Sequence, residues 1–217
     1  MKISIIIPTY EMQGKGVQML DELLQSIRKQ TYTDYEIIIS DNSQDNVIEQ
    51  YTNDAAYCYY RNEKKHSPAA NLNNALKYAT GDIIKPMMQD DYFTDVDCLQ
   101  QFATMTKQWA VCTSKHTQYY GDHVPYENND ILDLVTGCNT YGSPSAVAWK
   151  RNELRFDEHL LWLVDCDFYA QMIKQYGQPE FINTSVNIRI WNGQMTNTMA
   201  VGNVRVEETN YVIKKWA

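Results

Sequence analysis

Two short runs of β-branched and apolar residues, Ile3–Ile7 and Tyr35–Ile39, are separated by a stretch whose apolar residues follow a helical rhythm. Val17, Leu20, Leu23, Leu24 and Ile27 share one face of a helix spanning 17–28. The pattern then continues. Tyr57–Tyr60 reads as a third strand, Ala69–Tyr78 as a second helix closed by Thr80-Gly81, and Asp82–Met88 as a fourth extended segment. Strands of buried type alternating with helices predict an α/β chain with a mostly parallel central sheet, covered by helices on both faces. Pro86 lacks the N–H that a sheet ladder needs, so a bulge or an early strand end is expected inside the fourth segment.

The second half is less regular. Phe93–Trp109 reads as a helix, Ala110–Tyr120 as extended, Asn129–Val135 as a short helix and Ser145–Trp149 as a strand. Asp165–Tyr176 is helical, with Phe168, Met172 and Ile173 inward and Gly177 as its stop; Phe181–Ile190 is a strand and Val204–Trp216 a closing helix. No repeat, low-complexity tract or linker interrupts the chain. Residues 1–217 are therefore expected to form a single domain.

Composition removes several functions. With 19 Lys+Arg against 27 Asp+Glu and a formal net charge of -8, the chain is not built to hold nucleic acid, which requires many cations facing phosphates. No apolar stretch reaches the ~18 residues of a membrane span, and MKISIIIPTYE is too short in apolar residues for a signal-peptide core. The five cysteines are scattered without a CxxC pair, which suggests neither a disulfide framework nor a zinc site; a reducing cytoplasm is the expected home. His66, His116, His123 and His159 show no metal-ligand spacing and read as surface residues. The negative balance poses one problem: an anionic ligand would need something besides bulk charge to hold it.

In open α/β sheets, ligands bind beyond the carboxyl ends of the strands. Those ends carry Thr9-Tyr10-Glu11, Asp41-Asn42 and Gln89-Asp90-Asp91. Three acidic ends on one rim repel each other unless a cation or hydrogen-bond donors lie between them. Asp90 and Asp91 follow apolar Met87-Met88 and suit a hard divalent cation such as Mg²⁺ or Mn²⁺, which could bridge to a diphosphate. The competing reading is a solvated turn with acids at a helix start. Asp41 has the same alternative in its Asp-Asn-Ser-Gln-Asp turn; as a site residue it could accept hydrogen bonds from a base edge, with Tyr10 stacking on the ring. No GxGxxG, GxxxxGK[ST] or GxSxG motif is present, which argues against a dinucleotide Rossmann enzyme, a P-loop NTPase and a serine hydrolase elbow.

Four blocks in order carry a resemblance: SIIIPTYE at 4–11, YEIIISDNSQD at 35–45, NLNNALKYATGDII at 71–84 and MMQDDYF at 87–93. Together they resemble a family 2 glycosyltransferase of the GT-A fold. GSPSAVAWKRN at 142–152 resembles the acceptor-side segment of such enzymes, and LVDCDFYAQMIKQYG at 163–177 the helix whose first acid is the catalytic base. The resemblance implies a Rossmann-like, mostly parallel sheet with a small acceptor-side lobe, residues to about 95 binding a nucleotide-diphosphate sugar and about 96–217 binding a glycan or glycolipid acceptor. Thr9, Tyr10, Glu11, Asp41, Asn71 and Asp90 would hold the nucleotide. Asp90 and Asp91 would fill the place of the DXD motif and hold Mn²⁺ or Mg²⁺. Asp165 would be the general base of an inverting transfer.

The sequence departs from the family pattern at three places. Gln89 stands where the first acid of the DXD is usual, and Val164 where a Glu often precedes the base. Asp167 follows Asp165 at about 200° around the helix, so the two cannot share one role. Where many relatives carry a His near IRIWNGQMT, this chain has Trp191. Trp162 and Trp191, set among acidic, polar or Gly residues, are the candidate stacking platforms for an acceptor sugar, and core packing is the alternative for both, as for Trp149. No span is present, yet peripheral membrane contact fits a glycolipid acceptor. The rival readings are a sugar-nucleotide nucleotidyltransferase, of which Gly14-Lys15-Gly16 is a faint echo, and a catalytically silent nucleotide-sugar binding module.

Overall fold

The computed structural model describes residues 1–63, 67–116, 121–198 and 202–217. His66 and the end of the extended stretch at 117–120 lie outside them. In chain order the elements are β1 Ile3–Thr9, α1 Gly16–Arg28, β2 Tyr35–Asp41, α2 Val47–Tyr51, β3 Cys58–Arg61, α3 Pro68–Leu76, β4 Ile83–Pro86 and β5 Tyr92–Phe93. They continue with α4 Cys98–Ala103, β6 Trp109–His116, α5 Ile131–Val135, β7 Val147–Lys150, α6 Val164–Tyr176, β8 Glu180–Ile188, α7 Met195–Thr198 and α8 Asn203–Trp216.

One eight-stranded sheet runs in the order β3-β2-β1-β4-β7-β6-β8-β5. The pairs β1–β2, β1–β4, β2–β3 and β6–β8 are parallel; β7 and β5 run against their neighbours. The mostly parallel sheet expected from the strand–helix alternation is present. Its central strands are covered on both faces, which is why their sequences read as unbroken apolar runs. Ile3, Ile5, Ile7, Ile37 and Ile39 pack under α1 and α4, while Ile6, Ile38 and Ile84 pack under α3 and α6.

Pro86 ends β4 as expected. The next ladder donor is Met87 N–H, which reaches Ile6 O at 3.0 Å, and the chain then leaves the sheet with Ser145 Oγ accepting from Met88 N–H. That exit aims Gln89-Asp90-Asp91 over the carboxyl ends of the parallel strands.

The expected helix over 93–109 is corrected. Tyr92 and Phe93 form a short strand against Asn187 and Val186, the helix is confined to Cys98–Ala103, and Trp109 opens a strand opposite Trp149. Leu99, Phe102, Met105 and Trp109 are all buried, and their spacing imitates a helical face. The Glu180 carboxylate overrides it, accepting from Thr106 N–H (2.7 Å), Thr106 Oγ1 (2.9 Å) and Lys107 N–H (3.1 Å) and turning the chain into the sheet. The short helices α2 and α7 carry too few apolar residues to be read in advance.

Candidate active site

Thr9 at the end of β1 and Asp41 at the end of β2 are in register. The Asp41 carboxylate is fully buried and well supplied with donors. Its Oδ1 accepts from Ser43 Oγ (2.6 Å), Ser43 N–H (3.0 Å) and Thr9 Oγ1 (3.2 Å), and its Oδ2 from Tyr59 OH (2.8 Å) and Arg61 Nη1 (3.0 Å). Arg61 is also held by the carbonyls of Asp45 and Ser43. Asn71, from the first turns of α3, donates to Thr9 O (3.1 Å) and accepts from Ser40 Oγ (2.6 Å), tying the ends of β1 and β2 together. Tyr10 is half-buried, and burial, then the charges of Asp90 and Glu11, push its phenol up. Glu11 accepts from Gln44 N–H at 3.2 Å.

Gln89, in the place of an expected acid, has a structural task. It accepts from Tyr10 N–H (2.9 Å) and donates to Gly16 O (2.8 Å), stapling the loop after β1 to the start of α1. The next two residues are different. Asp90 Oδ2 accepts from Trp191 Nε1 at 2.9 Å. Asp91 Oδ1 accepts from Arg189 N–H at 3.1 Å, and its Oδ2 faces Ser143 Oγ at 3.5 Å. Burial pushes both carboxyls up, Asp91 well above the usual range because Asp90's charge adds to its burial. Beneath them lies Lys85, fully buried, donating to the carbonyls of Pro86 and Ser145 with Phe93 and Phe102 around it.

Hard oxygen donors, Asp91 buried and Asp90 half-buried beside it, fit a divalent cation. Among the described residues no cluster of three or more His, Cys, Asp and Glu forms a metal cage. Asp90 and Asp91 would be the protein's share, leaving coordination positions for ligand oxygens and water. Trp191 stands over this pair: its N–H meets Asp90, Lys15 Nζ lies 5.3 Å from its ring, and a Cβ at Gly193 would fall 2.0 Å from it. Trp162 lies elsewhere, its ring against Gly137 and under the Arg205 guanidinium at 5.0 Å. Trp149 is core, packed on Phe156 and Phe168.

Asp165 and Asp167 leave the first turn of α6 in different directions. Asp167 is fully buried and bonded to Trp216 Nε1 (2.8 Å), Lys215 Nζ (2.9 Å) and Gln171 Nε2 (2.9 Å). Asp165 is half-buried, accepts from Asn139 Nδ2 (2.8 Å) and Cys166 N–H (2.8 Å), and is pushed up to about 6 by burial. The N-terminal side of α6 is set from outside by Glu208 of α8, whose buried carboxylate accepts from Leu161 N–H (2.6 Å), Trp162 N–H (2.9 Å) and Leu163 N–H (3.0 Å). Asn139, Arg189 and Glu208 were not singled out from the sequence. They sit in loops or on a polar helix face, where no periodicity marks them.

Comparison with known proteins shows the family and the fold. The family model described as Glycosyl transferase family 2 matches residues 4–150. WcaA of Escherichia coli (strain K12), named for colanic acid biosynthesis, is 26% identical over 222 residues, covering 90% of this chain and 75% of its own. A GalNAc(5)-diNAcBac-PP-undecaprenol beta-1,3-glucosyltransferase of Campylobacter jejuni is 34% identical over 96 residues, 42% of this chain and 30% of that one. Among solved structures, S. aureus TarS 1-349 with UDP-GlcNAc superposes with a TM-score of 0.71 at 20% identity, covering 98% of this chain and 65% of TarS 1-349. The mannosyltransferase PcManGT of Pyrobaculum calidifontis, with GDP-Man and Mn²⁺, has a TM-score of 0.57 at 18% identity, covering 83% of this chain and 56% of that one. The fold is that of the GT-A glycosyltransferases. This chain spans only part of each of these proteins.

Proposed function

Since this chain belongs to glycosyl transferase family 2, we propose that it moves a sugar from a nucleotide-diphosphate donor to a hydroxyl of a glycan or glycolipid, inverting the anomeric carbon and using Mn²⁺ or Mg²⁺. The observation that carries this reading is the adjacent Asp90 and Asp91 carboxyls at the carboxyl end of the sheet, both pushed up by burial, Asp91 the more deeply buried. Residues to about 95 take the donor, with the base and ribose lying along Thr9, Tyr10, Glu11, Asn71 and the Asp41 loop. Residues from about 96 take the acceptor. Asp90 and Asp91 would hold the cation, which when bound supplies charge to stabilise the departing nucleoside diphosphate.

Asp165 takes the proton of the acceptor hydroxyl. A carboxyl titrating near 6 is ionised at neutral pH yet more basic than a free Asp, which favours that transfer. Trp162, near the start of the same helix, offers a ring face to a sugar. Relatives that act in polysaccharide and undecaprenol-linked synthesis point to a lipid-linked or polysaccharide acceptor for this chain too. Among the described residues no helix is long and apolar enough to cross a membrane. The undecaprenol-linked relative supports an encounter with the acceptor at a membrane surface, on the cytoplasmic side in this reading.

A panel of UDP-, GDP- and dTDP-sugars with Mn²⁺ tests the proposal by release of nucleoside diphosphate. Asp165→Asn should reduce turnover by about 10²–10⁴-fold, the usual share of a general base, while leaving UDP affinity unchanged. Pyrophosphate chemistry would instead indicate a nucleotidyltransferase. The Trp191–Asp90 hydrogen bond favours one second reading, a silent nucleotide-sugar binding module, which would bind a donor and never release diphosphate.

A further inference from the structure

Asn139 lies in the turn between α5 and β7 and uses its whole amide. Nδ2 donates to Asp165 Oδ2 (2.8 Å) and Gly142 O (3.0 Å); Oδ1 accepts from Tyr141 N–H (3.1 Å) and Gly142 N–H (2.9 Å). Turning the amide over would set its NH₂ against two N–H groups, so the donor toward Asp165 is fixed by the network. The turn itself is held firmly. Gly142 has φ +85, and a Cβ there would lie 2.9 Å from Ser114 Oγ. Tyr141 is fully buried with its ring 5.2 Å from Trp109 and 5.8 Å from Tyr169. Tyr169, one turn after Asp165 on the same face of α6, donates to Gly142 O at 3.1 Å. The helix is thus clipped to the turn at two successive levels.

We propose that Asn139 is a positioning residue for Asp165: its amide aims the carboxylate and favours the ionised form, leaving the remaining lone pairs for an acceptor hydroxyl. This rests on Asp165 being the base. The hydrogen bonds to Asp165, from Cys166 N–H first and from Asn139 among the others, oppose the upward push of burial. The titratable groups around it are Cys166 and Tyr169 on α6 and Cys138 beside Asn139, all pushed up and therefore neutral near pH 7; Asp167 faces Lys215 and Trp216, and Asp133 faces Cys138.

The test is a ¹³C-carboxyl NMR titration of Asp-labelled protein, with the Asp165 resonance assigned by its loss in Asp165→Asn. Wild type should titrate near 6. Removing one charge-assisted hydrogen bond in Asn139→Ala should raise the midpoint by about 1 pH unit. Asn139→Asp is isosteric and keeps the bonds from Tyr141 and Gly142 N–H, so it guards against misfolding. It places a second carboxylate against Asp165 and should give two separated steps, the upper well above the wild-type value. A merely structural Asn139 would lower the melting temperature without moving the midpoint, and that result overturns the proposal. Wild-type diphosphate release from UDP-glucose by Asp165→Asn would overturn the base, and Asn139's catalytic role with it, while the titration shift remained; the two failures are thereby distinguished.

Discussion

Two acidic strand ends on the same rim, Asp41 at the end of β2 and Asp90–Asp91 after β4, each bury a carboxylate, Asp41 and Asp91, and treat it in opposite ways. Asp41 has five protein donors, among them the Arg61 guanidinium. Among the described residues, Asp91 has the Arg189 N–H at 3.1 Å, the Ser143 hydroxyl at 3.5 Å and the Ser145 hydroxyl, and Asp90 the Trp191 indole N–H and its own backbone N–H, with no guanidinium hydrogen-bonded to either carboxylate. A buried carboxylate surrounded by donors belongs to the scaffold. One left short of them, beside a second carboxylate, is stable as an anion only when a ligand brings positive charge. On the function proposed above, the difference divides the rim into a part that shapes the nucleotide pocket and a part that waits for the nucleotide with its cation.

The largest expected effect comes from breaking the satisfied end. Asp41→Ala would leave Arg61, Tyr59 and the Ser43 turn without their acceptor, destabilising the protein by about 3 kcal/mol, the low end for a broken buried pair because Arg61 is about a third exposed. Calorimetry should show a melting temperature lower by on the order of 10 °C. Asp91→Asn should act in the opposite direction, raising the melting temperature of the metal-free protein at pH 7.5 by a few degrees and abolishing any rise caused by Mn²⁺ with UDP. Equal losses from both variants would erase the distinction between the two ends.

The pH dependence sharpens it further. Asp90, Asp91 and Asp165 have raised values, so the folded protein retains protons that the unfolded chain has released. Stability of the metal-free protein should therefore fall as pH rises above the unfolded value of 3.8, through about 6 for Asp165, with Asp90 and Asp91 adding to the decline in the same direction. Glu36 has the opposite sign: despite its burial, bonds from Lys2, Ser4 and Thr80 hold it at about 2, and its contribution, present above 4.5, is lost as pH falls toward 2. Urea titrations across pH 3–8 should show the high-pH decline flattened in Asp91→Asn and the acid limb unchanged. The smallest effect is expected at Glu208, another satisfied carboxylate: Glu208→Gln keeps an acceptor but loses the charge facing three N–H groups, costing about 1 kcal/mol in the same titration.

The β1–α1–β2 pattern and the exit at Pro86 were legible because they depend on local spacing and on a missing N–H. The same logic failed over 93–109, where Leu99, Phe102, Met105 and Trp109 have helical spacing but the Glu180 carboxylate and the pairing of Trp109 with Trp149 decide the outcome. Asp90 and Asp91 stood out in the sequence as adjacent acids at a strand end, and Asp165 through the resemblance of 163–177 to the family's helix. Whether a carboxylate is satisfied was not legible there, since Asp41's donors Tyr59 and Arg61 and Asp165's donor Asn139 arrive from other segments. Trp191's hydrogen bond to Asp90, from a residue 101 positions away, was likewise not legible in its sequence surroundings.

The central claim, that Asp90 and Asp91 form the end of the rim that takes a cation with the nucleotide, is tested most directly by following free Mn²⁺ by electron paramagnetic resonance as protein is added with UDP present. Wild type should remove one Mn²⁺ per chain from solution and Asp91→Asn none, while Asp41→Asn, if folded, should retain the metal. Mn²⁺ bound equally well by wild type and Asp91→Asn would contradict the account.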